Sequence, residues 1–248
     1  MKIATWNLQR PGKTKTERAT RLQERISAVD ADIWVLTETN EIVIPGPEFS
    51  GVASPAVAGL HRSGENWTTI WSRFPVMNVI PTCSPETSVC VEVDGPLGRV
   101  VVYGTVLPYH ADRTATEGLR SWQSHYESIP RHEADWLAIR KDYPAHCICL
   151  AGDLNQSRDG RRWDGRLWYG TNKGREMLSQ AMKRCDLSCL TEEDMVAAGK
   201  LRTRSTIDHI CVNTEWLQAV RRVDAWEPEH HDGARLSDHN GVVVELGA

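Results

Sequence analysis

Residues 3–8, Ile3-Ala4-Thr5-Trp6-Asn7-Leu8, read as an apolar strand that ends in an amide. Within residues 14–30, apolar groups recur at Ala19, Leu22, Ile26 and Val29. That spacing of three or four predicts a helix, after a Thr-rich start able to cap it. Ile33-Trp34-Val35-Leu36 then reads as a short buried strand ending at Glu38. From 51 to 106 the pattern changes, with apolar runs at 67–71, 76–80, 88–93 and 99–106. Gly, Pro and Ser separate the runs, which predicts successive antiparallel strands. Residues 119–142 return to a helical pattern interrupted by Pro130, and Cys147 to Ala151 is a strand followed by Gly152-Asp153-Leu154-Asn155. Residues 172–198 read as mainly helical, and 207–212, 219–226 and 241–246 as three last strands.

No Gly/Ser-rich linker and no internal repeat divides the 248 residues. Helix–strand units, a meander, and the same order again predict an α/β fold with two sheets packed face to face and helices outside. A single domain over 1–248 is expected, since one domain of this length is routine. Hydrophobic residues at 40% supply a core large enough to hold a rigid site without disulfide staples. A net charge of −4 argues against a strongly basic nucleic-acid binder. A local exception lies at 158–175, where Arg158, Arg161, Arg162, Arg166, Lys173 and Arg175 stand against Asp159 and Asp164. The seven cysteines include Cys147 and Cys149, one residue apart in an apolar run and read as core thiols. The N-terminus enters a strand without a leader-like apolar segment, and no apolar run is long enough to span a membrane. A reducing cytoplasm is the expected location.

Five polar punctuations fall where apolar β-runs stop: Asn7, Glu38, Asp153 with Asn155, Asp208, and Asp238 with His239. Taken singly, each is an ordinary turn or strand-end residue. Strand ends that converge on one sheet edge gather such groups, and carboxylates, amides and a histidine suit a hard divalent cation and phosphate chemistry. Glu38 follows a strand of otherwise apolar residues, and a carboxylate there is costly unless paired or bound to metal. Asp153 can accept a proton from an attacking water, and Asn155 can donate to a phosphoryl oxygen. Asp208 lies inside an apolar strand and needs a cationic or donor partner, which His239 of Ser237-Asp238-His239-Asn240 can provide.

In order and spread, Asn7, Glu38, Gly152–Asn155, Asp208 and Ser237-Asp238-His239 resemble the endonuclease/exonuclease/phosphatase superfamily, the deoxyribonuclease I-like proteins. The resemblance runs from residue 3 to residue 246. It implies a four-layer α/β/β/α sandwich of two mostly antiparallel sheets, and phosphoester hydrolysis with Mg²⁺ or Mn²⁺. It also implies that Glu38 is the main metal ligand with Asn7 and Asp238 nearby, that Asp153 and Asn155 handle nucleophile and phosphate, and that Asp208 pairs with His239. His110 in Pro108-Tyr109-His110 resembles a second histidine that some members place near the leaving group, with Glu65 as its acid partner by position. Arg120 with Gln123, opening the next helix, also fits. The chain departs from the family in Thr37 before Glu38, in Val106-Leu107-Pro108-Tyr109, and in Ser205 three residues before Asp208. An abasic-site pocket is disfavoured on those grounds, and the signatures of inositol polyphosphate phosphatases are absent.

Arg161-Arg162-Trp163-Asp164-Gly165-Arg166-Leu167-Trp168-Tyr169 has two readings. It is a contact surface for single-stranded nucleic acid, with arginines on phosphates and Trp163 and Trp168 under bases. Alternatively, the tryptophans pack beneath a loop whose arginines face water. The expected activity is a metal-dependent phosphodiesterase, a nuclease acting on DNA or RNA. The alternatives are a phosphatase or phosphodiesterase of a small phosphorylated metabolite or lipid headgroup, and a non-catalytic binding module. Oligomeric state is not legible.

Overall fold

The computed structural model describes residues 1–12, 16–110, 121–158, 162, 164–230 and 232–247. Twelve strands are named β1 Lys2–Asn7, β2 Ile33–Asn40, β3 Ser50–Ala53, β4 Glu65–Ser72, β5 Val76–Ile80, β6 Ser88–Gly95, β7 Gly98–Val106, β8 Cys147–Asp153, β9 Leu187–Cys189, β10 Asp208–Asn213, β11 Val220–Trp226 and β12 Gly241–Leu246. Among the described residues three α-helices accompany them: α1 Glu17–Val29, α2 Gln123–Asp142 and α3 Asn172–Arg184. One sheet has the order β11-β12-β1-β2-β4-β3 and the other β5-β6-β7-β8-β10-β9. Each contains a single parallel pair, β1 with β2 and β7 with β8, the remaining pairs being antiparallel.

The four layers follow from strand alternation, since successive side chains leave opposite faces. Ile3, Val35, Val91, Val102, Cys149, Ile210 and Val244 fill the space between the sheets. The opposite face of the first sheet packs Trp6, Trp34, Leu36 and Trp226 on Ala19, Leu22 and Ile26 of α1. The outer face of the second packs Tyr103, Ile148, Leu150 and Cys211 on Ile129 and Trp136 of α2 and on Leu178 and Ala181 of α3. Both α1 and α3 begin at a threonine, Thr16 and Thr171, whose hydroxyl accepts from the N–H of Ala19 or Gly174.

Three sequence expectations change. The helical reading of 172–198 fails beyond Arg184, because Asp186 takes a left-handed φ of +55° and the chain turns into β9. Leu187 and Cys189 alternate as a strand requires, but three residues are too few to register as a period. Pro130 does not interrupt α2, since it lies on the exposed face where the carbonyl it frees reaches water. The strand expected to stop at Glu38 continues to Asn40, with Thr39 opposite Asn66 on β4. The core assignment of Cys147 and Cys149 holds, both being fully buried between the sheets.

Candidate active site

Alternation delivers the polar groups to one place. On β8 the row Cys147, Cys149, Ala151 faces the other sheet and ends in Asp153, while on β10 the row Ile210, Val212 begins at Asp208. Asp153 and Asp208 are direct register partners. Asn7 ends the row begun by Ile3 on β1. Glu38 has the parity of Trp34 and Leu36, which face α1, so an ordinary strand would aim it away. Its left-handed φ of +48° turns the carboxylate back, and Oε1 accepts from Asn7 Nδ2 at 3.1 Å. Gln9, Arg10 and Asn155 are also left-handed, at φ +51°, +46° and +48°. Such backbone is costly for a non-glycine residue and persists where surrounding structure enforces it. Only glycine fits at position 152, at φ +136°, since a Cβ there would stand 2.0 Å from the Thr105 carbonyl oxygen.

Asp153 is buried and ringed by donors. Its Oδ2 accepts from Asn7 Nδ2 and Asn155 Nδ2, both at 3.1 Å, and its Oδ1 from the Asn155 N–H at 2.9 Å. The second amide hydrogen of Asn155 goes to the Leu107 carbonyl at 2.9 Å. Both hydrogens of that amide are therefore spent, and Asn155 holds Asp153 rather than offering a donor to phosphate. Asn7 is similarly committed: its Oδ1 accepts from the Gln9 N–H at 2.8 Å, leaving Nδ2 between Glu38 and Asp153. Burial pushes Asp153 above the usual carboxylate range, against the facing His239 imidazole and with the neighbouring Asp208 carboxylate.

His239 Nδ1 donates to Asp208 Oδ2 at 2.6 Å, and Nε2 stands 4.0 Å from Asp153 Oδ2 and 3.9 Å from Asp238 Oδ1. Burial opposes charge on this imidazole, but Asp208 and Asp153 outweigh it and raise it to about 10. The segment is sewn to β1: Ser237 Oγ donates to the Asn7 carbonyl at 2.6 Å, the His239 N–H to Ser237 Oγ at 3.0 Å, and Trp6 Nε1 to the His239 carbonyl at 2.9 Å.

His110 stands exposed at the rim. Its Nδ1 bonds the Tyr169 hydroxyl at 3.2 Å, and its ring lies 5.9 Å from that of Trp122. Glu65 is not its partner, because it sits on β4 in the other sheet and accepts from the Arg62 N–H at 2.9 Å. Tyr169 is a site residue that motif reading missed, although it closes the basic-aromatic run, and burial pushes its phenol up to about 12. Arg10 was missed as well. Its guanidinium lies 4.4 Å over the Trp67 ring, and its Nε is 3.7 Å from Glu38 Oε2. Positive φ at Arg10 leaves no sequence signal.

Arg162 and Arg166 are exposed, while Trp168 is partly buried with its indole N–H unpartnered among the described residues. Arg158, the first cation of the basic stretch, is 7% exposed and paired with Glu192 at 3.2 Å. Arg120, Arg161 and Trp163 lie outside the described residues.

The donor set suits a small, hard divalent cation such as Mg²⁺ or Mn²⁺. Glu38 is a quarter exposed, Asp208 Oδ1 is buried without a hydrogen-bond partner among the described residues, and ligand-type atoms of Asp153, Asp208 and His239 lie within 4.8 Å of one another. Asn7 would ligate through Oδ1 only after a turn of its amide. A second grouping, Cys83 with His132 and Asp135, is already tied together, since the Tyr103 hydroxyl bonds His132 Nδ1 and Asp135 Oδ2 at 2.8 Å each.

A two-sheet sandwich with outer helices and an acidic, histidine-bearing site at one sheet edge is the architecture of a phosphoester-hydrolase class. Residues 4–239 match the profile of the Endonuclease/Exonuclease/phosphatase family, and the chain belongs to it. No curated protein matches the chain significantly. Solved structures share the fold. A 3'-5' exonuclease from Neisseria meningitidis superposes with TM-score 0.69 at 18% identity, covering 100% of both chains. An AP endonuclease from Archaeoglobus fulgidus gives 0.67 at 14%, also over 100% of both. An AP endonuclease from Leishmania major gives 0.70 at 15%, over 100% of this chain and 87% of its own.

Proposed function

We propose that the protein is a divalent-metal-dependent phosphodiesterase, a nuclease that hydrolyses DNA or RNA by in-line attack of water. The reading is carried by the buried His239–Asp208 pair at 2.6 Å, facing Asp153 across 4.0 Å. Asp153, its proton affinity lifted by burial, takes a proton from the attacking water. Asn7 and Asn155 hold that carboxylate in one orientation. His239, kept protonated by Asp208, donates Nε2–H to a phosphoryl oxygen as charge gathers there. His110, fixed by Tyr169, serves the leaving-group side. Glu38, with Asp238 alongside, would hold a divalent cation, which when bound would supply further positive charge to the phosphoryl group. Exposed Arg162 and Arg166, and the aromatic rim of Tyr109, Trp122 and Tyr169, support a polynucleotide over a small ester. The solved structures named above are an exonuclease and two AP endonucleases by name, which accords with this choice.

A phosphatase of a small phosphorylated metabolite or lipid headgroup draws support from the net charge of −4. The deciding experiment measures metal-dependent turnover on single-stranded DNA, duplex DNA, RNA and a phosphomonoester panel, with Asp153→Ala and His239→Ala alongside. Polynucleotide cleavage abolished by both substitutions is the expected result. Undiminished activity in both variants rejects the site, and turnover confined to monoesters selects the phosphatase.

A further inference from the structure

The edge of the second sheet holds a group of side chains that phosphoester chemistry does not use. β9 and β10 run antiparallel with Cys189 opposite Cys211 and Ser188 opposite Val212. The Leu190 N–H donates to the Ile210 carbonyl at 2.8 Å, and the Thr214 N–H to the Asp186 carbonyl at 3.1 Å. Hydrogen-bonded pairs therefore fall at 186/214, 188/212 and 190/210, and alternation leaves Cys189 and Cys211 as a non-hydrogen-bonded pair. Cα atoms in such pairs are about 4.5 Å apart, with the side chains closest together. That lies inside the roughly 4.4–6.8 Å that disulfides span. Both side chains leave the same face, toward Leu178 and Ala181, and both are free thiols.

Their surroundings are polar on one side. Cys189 Sγ lies 3.7 Å from His209 Nδ1 and 3.7 Å from Thr191 Oγ1. Arg158, buried beside both thiols, places Nη2 on Ser179 and Glu192, while its Nε and Nη1 have no hydrogen-bond partner among the described residues. A buried guanidinium with two idle donors is expensive unless negative charge stands nearby. Burial alone would push the Cys189 thiol up, but the Cys211 S–H, His209 and Arg158 together hold it well below the ordinary thiol range. Cys211, bonded to Cys189 and buried, is held well above that range. Burial pushes Cys149 and Cys185 up to about 12, as expected of inert core thiols.

We propose that Cys189 and Cys211 form a modification site, a dithiol that hydrogen peroxide converts to a cross-strand disulfide and a thiol reductant restores. The Cys189 thiolate attacks one peroxide oxygen, the O–O bond breaks, and the departing hydroxide becomes water on taking a proton. Cys189 is now a sulfenic acid. The Cys211 sulfur attacks the Cys189 sulfur, the S–O bond breaks, and hydroxide leaves with the Cys211 proton as a second water. Two thiols lose two electrons to one peroxide, giving one disulfide and two waters. The route inward is short, because β9 is the last strand of its sheet and Cys189 is 8% exposed.

The test reads mass rather than turnover, so it stands apart from the proposed activity. Full-length Cys83→Ser protein, which lacks the exposed thiol, is treated with a small excess of hydrogen peroxide, denatured, alkylated and mapped by mass spectrometry. The expected product joins the Cys189 and Cys211 peptides and escapes alkylation at those two positions, with dithiothreitol restoring both. In Cys211→Ser the sulfenic acid at Cys189 persists and is captured by dimedone. The unsubstituted chain yields the same cross-link, so the result does not hang on either variant folding. Full alkylation of Cys189 and Cys211 after peroxide overturns the proposal, as does a different cross-link or over-oxidation of Cys189 in place of the disulfide.

Discussion

Replacing Asp208 by Asn isolates what the buried carboxylate does for His239. The side chain keeps its shape, and an amide oxygen still accepts from Nδ1 at the 2.6 Å position, so only the negative charge is lost. Asp208 is the largest of the influences that raise His239, ahead of Asp153, and an opposite charge at such range is worth about 1–3 pKa units. His239 therefore titrates about 1–3 units lower in Asp208→Asn than the parent value of about 10. At roughly 1.4 kcal/mol per unit this is about 1.5–4 kcal/mol of lost coupling. Because the folded pKa is raised above its unfolded value, the pair stabilises the fold fully below about pH 6.5 and progressively less as pH rises toward 10. The stability deficit of Asp208→Asn is accordingly largest in acid-to-neutral buffer and shrinks in alkali. Removing Asp208 also relieves its repulsion of Asp153, which trims the deficit without changing its pH direction. Histidine ring NMR, assigned with His239→Gln, follows the titration, and urea unfolding at pH 6 and pH 9.5 follows the stability. The alkaline limb of the pH–rate profile moves down with the titration. An unshifted His239 midpoint would refute the account of the pair.

A divalent cation raises the melting temperature of the metal-free protein, and more at pH 8 than at pH 5. Asp153 carries its proton to higher pH than usual and, once ionised, repels the neighbouring Asp208 and Glu38 carboxylates, a repulsion that a cation relieves; scanning calorimetry with and without Glu38→Gln checks this, and a shift that survives the substitution rejects Glu38 as a ligand. Gly152→Ala forces a Cβ to 2.0 Å from the Thr105 oxygen at a φ of +136°, costing about 2–5 kcal/mol in urea unfolding, and a neutral change contradicts the packing account. Tyr169→Phe removes the hydrogen bond to His110 and lowers kcat/KM roughly fivefold, equivalent to about 1 kcal/mol, while leaving stability nearly unchanged; an equal loss in a His110→Ala background shows that the phenol acts elsewhere. Replacing Arg161, Arg162 and Arg166 together by Ala weakens polynucleotide cleavage and spares a small chromogenic phosphodiester, with equal losses on both arguing against a substrate contact.

Much of the site was legible because its residues end strands whose hydrophobic period is strong. Asn7, Asp153 and Asp208 continue inward-facing rows that anyone can count from Ile3, Ala151 and Ile210. Glu38 was legible as chemistry but not as geometry: its parity points to α1, and only a left-handed backbone, which sequence does not announce, returns it to the site. Tyr169 and Arg10 escaped for a related reason. They reach the centre through loop conformation rather than periodicity, the first by docking on Ser157 and the second by lying over Trp67. β3 escaped because Ser50–Ala53 carries no apolar alternation and exists through its pairing with β4. Arg158 was legible only as one charge of a basic stretch, and its burial against Glu192 comes from tertiary packing.

The left-handed residues around the carboxylates also bear on how this chain would change under selection. Glu38 and Asn155 occupy backbone that glycine adopts freely, so a screen for heat resistance alone would reward Glu38→Gly and drain the site while improving the scaffold, whereas Asn155→Gly would strip two buried hydrogen bonds from around Asp153. Consensus-style stabilisation of this protein should leave those two positions, and Gln9 and Arg10 with them, untouched. Thermal tolerance is better sought at the far ends of the sheets, where nothing chemical is held under tension.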